Sequence, residues 1–406
     1  MLYVKLAWRN VWRNKRRSMI TVASIMFSVF FAVFIRALQL GMYDSMTDAV
    51  VRSWYGYVQV HAQGYWDEQS LDNTFPRDVA TESELLKQSS VAGVVPRLEG
   101  FALLTYADKV RGVHLSGINP TAEDEMSELR KRVVSGAYIT DSDSAVLVSE
   151  GLARYLGIHT GDSLAMVGMG FNASTAAGKY SVKGVVKLAS TQANNASVFL
   201  PLAAAQSFYG TDNRLTALAL LLKPGADATE TVQALQHTLD TKKYEVMSWQ
   251  EMLPELVQMI QVDSAGGQIM VFILYMVISF GIFGTVLMMV AERRYEFGVL
   301  LSVGMSRIRL SRILVLESLL ISTIGVLSGI VISRPFIHYF HQNPITLTGR
   351  AADTLRNFGF DPVMPTLLSL SIPVTHGAAV LTVAVLLSAY SIVSVYKLDP
   401  LKASRR

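Results

Sequence analysis

The chain contains no cysteine. That absence excludes a disulfide scaffold, a thiolate nucleophile, a thiolate zinc site and a lipid carried on cysteine. It leaves the redox compartment open. Charge is scarce as well. Asp, Glu, Lys and Arg make up 17% of 406 residues, while 51% are hydrophobic; a soluble domain is about one quarter charged. Aromatic and β-branched residues are plentiful, which excludes a disordered chain. The net charge of +4 is too small to point to nucleic acid. A chain of this length has room for two or three ordinary domains.

Catalytic signatures are missing too. A P-loop needs G-x-x-x-x-G-K-[ST], so that backbone amides cradle phosphate. Gly178-Lys179-Tyr180 has neither the upstream spacing nor the hydroxyl. There is no H-E-x-x-H and no G-x-S-x-G. Of seven histidines only His338 and His341 lie close together. Their i, i+3 spacing suits two metal ligands on a helix, but a wet loop is the plainer reading and no metal is expected. The chain is expected to hold no cofactor and to be no enzyme.

Long apolar runs are what the sequence does have. A bilayer core needs roughly 20 apolar residues per helix. Four stretches qualify: one within 18–45, then 266–291, 310–332 and 369–396. Arg36 is the one charge in the first, near its far end, and the second has none. Arg312 and Glu317 lie in the third, and His376 is the one titratable group of the fourth. A basic start before the first run raises the alternative of a cleaved signal peptide. The run is too long for that and no A-x-A site follows, so a retained anchor is expected.

Short basic flanks mark the cytoplasmic side. Six lie before residue 18: Lys5, Arg9, Arg13, Lys15, Arg16 and Arg17. Arg293, Arg294, Arg307 and Arg309 lie between the second and third runs, and Lys397, Lys402, Arg405 and Arg406 in the tail 397–406. Both termini are therefore expected in the cytoplasm and residues 46–265 outside. That segment has 17 basic and 25 acidic residues, against 19 and 7 in the remainder. The asymmetry supports the same topology independently of hydropathy. The expected fold is an α-helical membrane protein with four transmembrane helices, one plus three. A large mixed α+β extracytoplasmic domain is inserted between the first two.

Within 46–265, alternating runs predict strands at 57–61, 110–118, 145–148, 163–167 and 179–186, with helices at 149–156 and 228–239. A helix over 248–263 is expected to run on into the second span as a stalk. A second outside segment, 333–368, joins the third and fourth spans.

Two cytoplasmic elements stand out. In 1–17, Lys5, Arg9, Arg13 and Arg16 share one helical face, and Val4, Trp8, Val11 and Trp12 supply an apolar one. This predicts a helix lying in the headgroup layer. The linker 292–309 begins with charge and continues as a short apolar helix closed by Gly304. It is either a hairpin resting on lipid or a coupling helix seated in a partner; the second is expected. Glu317 pairs with Arg312 or Arg293, or else gates transport, because an ionisable group inside a span is a functional candidate. His376 is a hydrogen-bonded helix contact or a proton relay.

The linker resembles the permeases of the MacB, FtsX and LolC/LolE superfamily, the type VII ABC transporters. Their pattern E-R-R-x-E-[FI]-G-x-L-x-[AS]-[LV]-G-[AM]-[ST] is matched by Glu292, Arg293, Arg294, Glu296, Phe297, Gly298, Leu300, Leu301, Gly304 and their neighbours. Leu6-Ala7-Trp8-Arg9-Asn10, Val148-Ser149-Glu150-Gly151-Leu152-Ala153 and Leu398-Asp399-Pro400-Leu401-Lys402-Ala403 resemble other family segments, and Glu317 falls at a common acidic position. The resemblance implies a bacterial inner-membrane dimer with a second permease copy or a paralogue. It also implies two copies of a separate ABC ATPase that bind ATP and Mg. The coupling helix then presents Phe297, Leu300 and Leu301 as apolar anchors, with Arg293, Arg294 and Glu296 on the rim. ATP-driven closure reorients the periplasmic domains, a mechanism called mechanotransmission. A β-rich distal part is implied over 110–210. Lipoprotein release with a periplasmic partner is the leading substrate reading. Tyr57, Tyr65 and Trp66 are candidate cargo contacts, although they also suit ordinary packing. MacB-like export and FtsX-like signalling to a cell-wall hydrolase are the alternatives.

Overall fold

The structure, a computed structural model, describes residues 2–357, 360 and 362–399. The tail positions Pro400, Leu401, Lys402, Ala403, Arg405 and Arg406 lie outside the described residues, as does the side chain of Val4. The chain forms two compact units. A helical unit comprises 1–44, 259–346 and 363–406, and a sheet unit 45–258 and 347–362.

The chain opens with α1 (Leu2–Arg13) and α2 (Lys15–Thr47). A wider helical turn follows over Asp48–Tyr55, and Gly56 ends it at φ +83°, a conformation glycine adopts without a Cβ clash.

The sheet unit is built on ten strands. They are β1 (Val58–Ala62), β2 (Val91–Tyr106), β3 (Lys109–Ile118), β4 (Val133–Gly136) and β5 (Ala145–Ser149). β6 (Ser163–Met169), β7 (Thr175–Val186), β8 (Ser197–Pro201), β9 (Ala217–Leu222) and β10 (Tyr244–Ser248) complete it. The order is β10-β1-β9-β2-β3-β8-β5-β7-β4, with β6 pairing β2 and β7. Two pairings are parallel, β3 with β8 and β5 with β7. The fold is thus mixed α and β. Its helices include α3 (Pro120–Ser127), α4 (Leu202–Tyr209) and α5 (Ala228–Thr238). Asn119 and Asp227 cap α3 and α5 by accepting from backbone amides, which satisfies donors that the first helical turn leaves open.

The strands within 110–210 share one sheet with the rest of the unit. The first half of β2 pairs with β9 and its second half with β3 and β6, so a single strand binds both regions into one sheet.

The chain then enters α6 (Pro254–Glu292), α7 (Arg294–Ser302), α8 (Arg307–Gln342) and α9 (Ser371–Tyr396). The expected unbroken stalk from 248 is interrupted. A short helix Trp249–Met252 ends at Leu253, at φ −125° and ψ 59°, because the ring of Pro254 disfavours helical backbone in the residue before it. The segment 333–368 is helical as far as Gln342, where α8 ends.

Four helices, beginning at Lys15, Pro254, Arg307 and Ser371, are long and apolar enough to cross a membrane. Within the helical unit, the core is Ile25, Val29 and Val33 of α2 against Ile278 and Ile282 of α6, Ile321 and Val326 of α8 and Val380 of α9. Small residues on α8 allow close approach. A Cβ on Gly325 would lie 2.7 Å from that of Ile25, and one on Gly329 would lie 2.8 Å from the carbonyl oxygen of Met26. This spacing is the small-xxx-small pattern of close helix pairs.

Candidate functional site

The linker residues gather into an ion-paired cluster within the helical unit. α6 and α7 meet at Arg293, whose backbone leaves the helical region at φ −101°, ψ 10°. The Arg293 side chain is buried. Its guanidinium donates to Glu317 of α8 at 3.0 Å and to Glu296 of α7 at 2.9 Å. It also lies 5.3 Å from the ring centroid of Phe297, within cation–π range. Arg17 of α2 donates to Glu292 at 2.7 Å and stands 3.9 Å from Glu317. Arg13 of α1 grips both Glu296 carboxylate oxygens at 2.8 and 2.7 Å. Burial works against the charge of Glu296, but the hydrogen bonds from Arg13 and Arg293 hold its carboxyl below the usual carboxylate range. The cluster therefore ties α1, α2, α6, α7 and α8 together at one place. Of the two pairings foreseen for Glu317, the structure contains that with Arg293.

Two expectations for the linker are corrected. Phe297 is not available to a partner: it is fully buried against Met289, Leu310, Leu314 and Val395 of its own chain. Arg293 is likewise no rim residue, being turned inward to satisfy Glu317. Leu300 and Leu301 are half-buried on the same packing. The exposed face is instead Tyr295, Val299 and Val303, with Val303 82% exposed. Those positions are four residues apart, one helical face. Arg294, Ser302 and Gly304 are also exposed, while Gly298 is buried. Gly304 takes φ +100°, closing the segment before α8.

On α1, Lys5 and Arg9 are exposed. Trp8 and Trp12 are about half exposed, and their ring centroids are 5.8 Å apart. Ala7 and Val11 are buried. The apolar positions thus divide between the chain's own core and an aromatic outer face. His376 of α9 is buried, and its Nδ1 lies 2.6 Å from the hydroxyl of Tyr275 on α6. His341 and His338 do not converge: His341 meets the carbonyl of Thr366, and His338 faces Gln342. Among the described residues no group of three or more His, Asp or Glu is placed to hold a metal.

In the sheet unit, Tyr65 is buried and stacks on His61 at 5.0 Å, so it is a core residue and not an open contact for cargo. Trp66 is half-buried beside His61, and Tyr57 packs against the same core. Sequence reasoning missed two features of this unit. One is a buried ion pair: Arg97 of β2 donates to both carboxylate oxygens of Glu123 on α3, at 2.9 and 2.7 Å, and also to the carbonyl of Trp54. The other is an exposed apolar sheet face. Phe101 and Leu103 of β2 stand out beside Val167 and Met169 of β6, with Leu103 opposite Val167. Both faces of β2 are apolar there, so alternation alone gave no signal.

Residues 18–238 match the model of the MacB-like periplasmic core domain, and residues 268–400 that of the FtsX-like permease C-terminal region. The chain belongs to the MacB/FtsX permease family. Curated relatives in this superfamily include the lipoprotein-releasing system transmembrane protein LolC of Neisseria meningitidis serogroup B, 21% identical over 68% of this chain and 67% of that one. LolC of Xylella fastidiosa (strain 9a5c) is 23% identical over 59% of each chain. Among solved structures, the periplasmic region of MacB from Actinobacillus actinomycetemcomitans is 15% identical, with a TM-score of 0.36. The match covers 51% of this chain and 95% of that one.

Proposed function

We propose that this permease is the membrane subunit of an ABC transporter driven by an ATPase on a separate chain, and that it releases lipoproteins from the bacterial inner membrane. α2, α6, α8 and α9 are its spans, both termini are cytoplasmic and the sheet unit is periplasmic. One observation carries the coupling role: α7 is ion-paired to α1 through Glu296 and, through Arg293 at its start, to α8, while Tyr295, Val299 and Val303 stay exposed. An apolar face on an anchored base suits a groove on an ATPase, with Arg294 on the rim. Push on α7 and the load passes through Arg293 and Glu296 into several helices. ATP and Mg bind the ATPase, and a second permease, identical or paralogous, completes the dimer. Lipoprotein as cargo is supported by the LolC relatives.

Export of other periplasmic substrates is the second reading, favoured by the MacB-like match over 18–238. The test is purification of the tagged chain from native membranes in mild detergent. An ATPase together with lipoproteins that leave on adding ATP is the expected result. An ATPase with a membrane-fusion protein and no lipoprotein moves the assignment to export; a cell-wall hydrolase moves it to signalling. Absence of any ATPase overturns the transporter reading.

A further inference from the structure

Beside the start of α8 the helical unit has a crevice of about 460 Å³. Its walls are apolar: Tyr3 of α1, Ile308 and Val315 of α8, and Ile392 of α9 all line it. Ser311 and Arg312 of α8 line it as well, and Arg312 is exposed. The Ser311 hydroxyl is buried and closed to an occupant. Arg312 has no ion-pair partner among the described residues. Its neighbours are engaged: Arg307 donates to the carbonyls of Tyr396 and Leu398, and Arg293 to Glu317.

An occupant must therefore bring an apolar body and, at one end, an anionic group with several acceptor oxygens. A guanidinium pairs with phosphate through parallel N–H donors. A free phosphate ion would leave the apolar walls unused, and a hydrocarbon alone would leave Arg312 unmet. Arg312 lies in the second turn of α8. On the membrane reading above, on which this inference rests, that is the level of the cytoplasmic headgroups. We propose that the crevice is a phospholipid site: one acyl chain lies along α8 and α9, and the headgroup phosphate is held by Arg312.

The test uses the full chain, incubated with vesicles of equal parts phosphatidylglycerol and phosphatidylethanolamine, extracted in mild detergent and weighed by native mass spectrometry. The wild-type chain retains one phospholipid. Arg312→Gln lowers retention about tenfold, the effect of losing a charge-assisted contact. Val315→Trp, which fills the apolar wall, lowers it similarly, and Arg309→Gln leaves it unchanged. Equal retention in wild type, Arg312→Gln and Val315→Trp, at matched melting temperatures, overturns the site. So does efficient disulfide dimerisation of the Ile392→Cys variant in membranes, which would give the crevice to a second copy. A carbonate wash separates the two layers of the argument: release of the chain fails the membrane reading itself. A retained chain without lipid fails only the site.

Discussion

Two buried arginines, one in each unit, solve the same electrostatic problem differently. Arg97 is enclosed by groups fixed in the sheet unit: Glu123 of α3 in a bidentate grip, the Trp54 carbonyl, and Glu99 at 3.6 Å on its own strand. Arg293 sits at a helix break, and its partners lead outward. Glu317 is buried, but Glu296 and the nearby Glu292 are more than 40% exposed, and Arg13 is half exposed. The first pair is closed on itself. The second is the inner end of a chain of charges that reaches solvent. A closed pair has one arrangement; a branched chain can exchange partners at its wet end without leaving a charge bare inside. Rigidity is thus expected of the sheet unit, and adjustability of the linker base.

Arg97→Ala attacks the closed pair and has the largest expected effect. It leaves the Glu123 carboxylate buried and unpaired, which costs about 3–5 kcal/mol. A melt of the full chain followed by tryptophan fluorescence should show it, and a loss below about 1 kcal/mol would end the contrast. Glu317→Ala strikes the branched network at its root. Arg293 keeps Glu296 and Arg17 keeps Glu292, so the expected loss is the smaller ~1.5–3 kcal/mol of charged hydrogen bonds.

Acid sharpens the comparison next. Burial depresses the pKa of His61 and His114 in the sheet unit, outweighing the neighbouring Glu99 in both. The unfolded chain titrates near the ordinary value of about 6.5. Above that pH both states are neutral and stability does not respond. Below it the unfolded chain takes up protons that the folded one refuses, so stability falls as pH drops. Melting temperatures from neutral pH to about 5 should fall less steeply in a His61→Gln, His114→Gln variant. Arg13→Ala, at the wet end, comes last: an exposed pair contributes about 0–1 kcal/mol. On the function proposed above, its mark should instead be a loss of lipoprotein release at unchanged melting temperature. Unchanged release would remove Arg13 from the coupling path.

Part of this was legible beforehand. The apolar runs gave the four long helices because hydropathy over twenty residues averages out local detail. β3, β5, β6 and β7 followed from alternation, and the helix ending at Gly157 from its own punctuation. β2 did not, since Gly93, Pro96 and Gly100 interrupt it and both of its faces are apolar near Phe101 and Leu103. The site was half legible. Glu292 through Gly304 were singled out as a set, but which side of α7 faces inward was not. Apolar residues at 297, 299, 300, 301 and 303 surround that helix, so periodicity selects no face. Only packing against Leu310 and Leu314 buries Phe297 and leaves Val299 and Val303 outside. Arg97 with Glu123 had no local signal, because the partners lie 26 residues apart.

The glycines of α8 carry a mechanical consequence. Where Gly325 and Gly329 meet α2, backbone lies against side chain with no flexible group between, so the joint has no slack and no alternative rotamers to adopt. α2 and α8 then act as one strut. α6 is the least enclosed of the four long helices, held on one side by Ile278, Ile282 and Val286. Any stroke made by the helical unit has its softest degree of freedom there, with Arg293 as the pivot at the lower end of the lever.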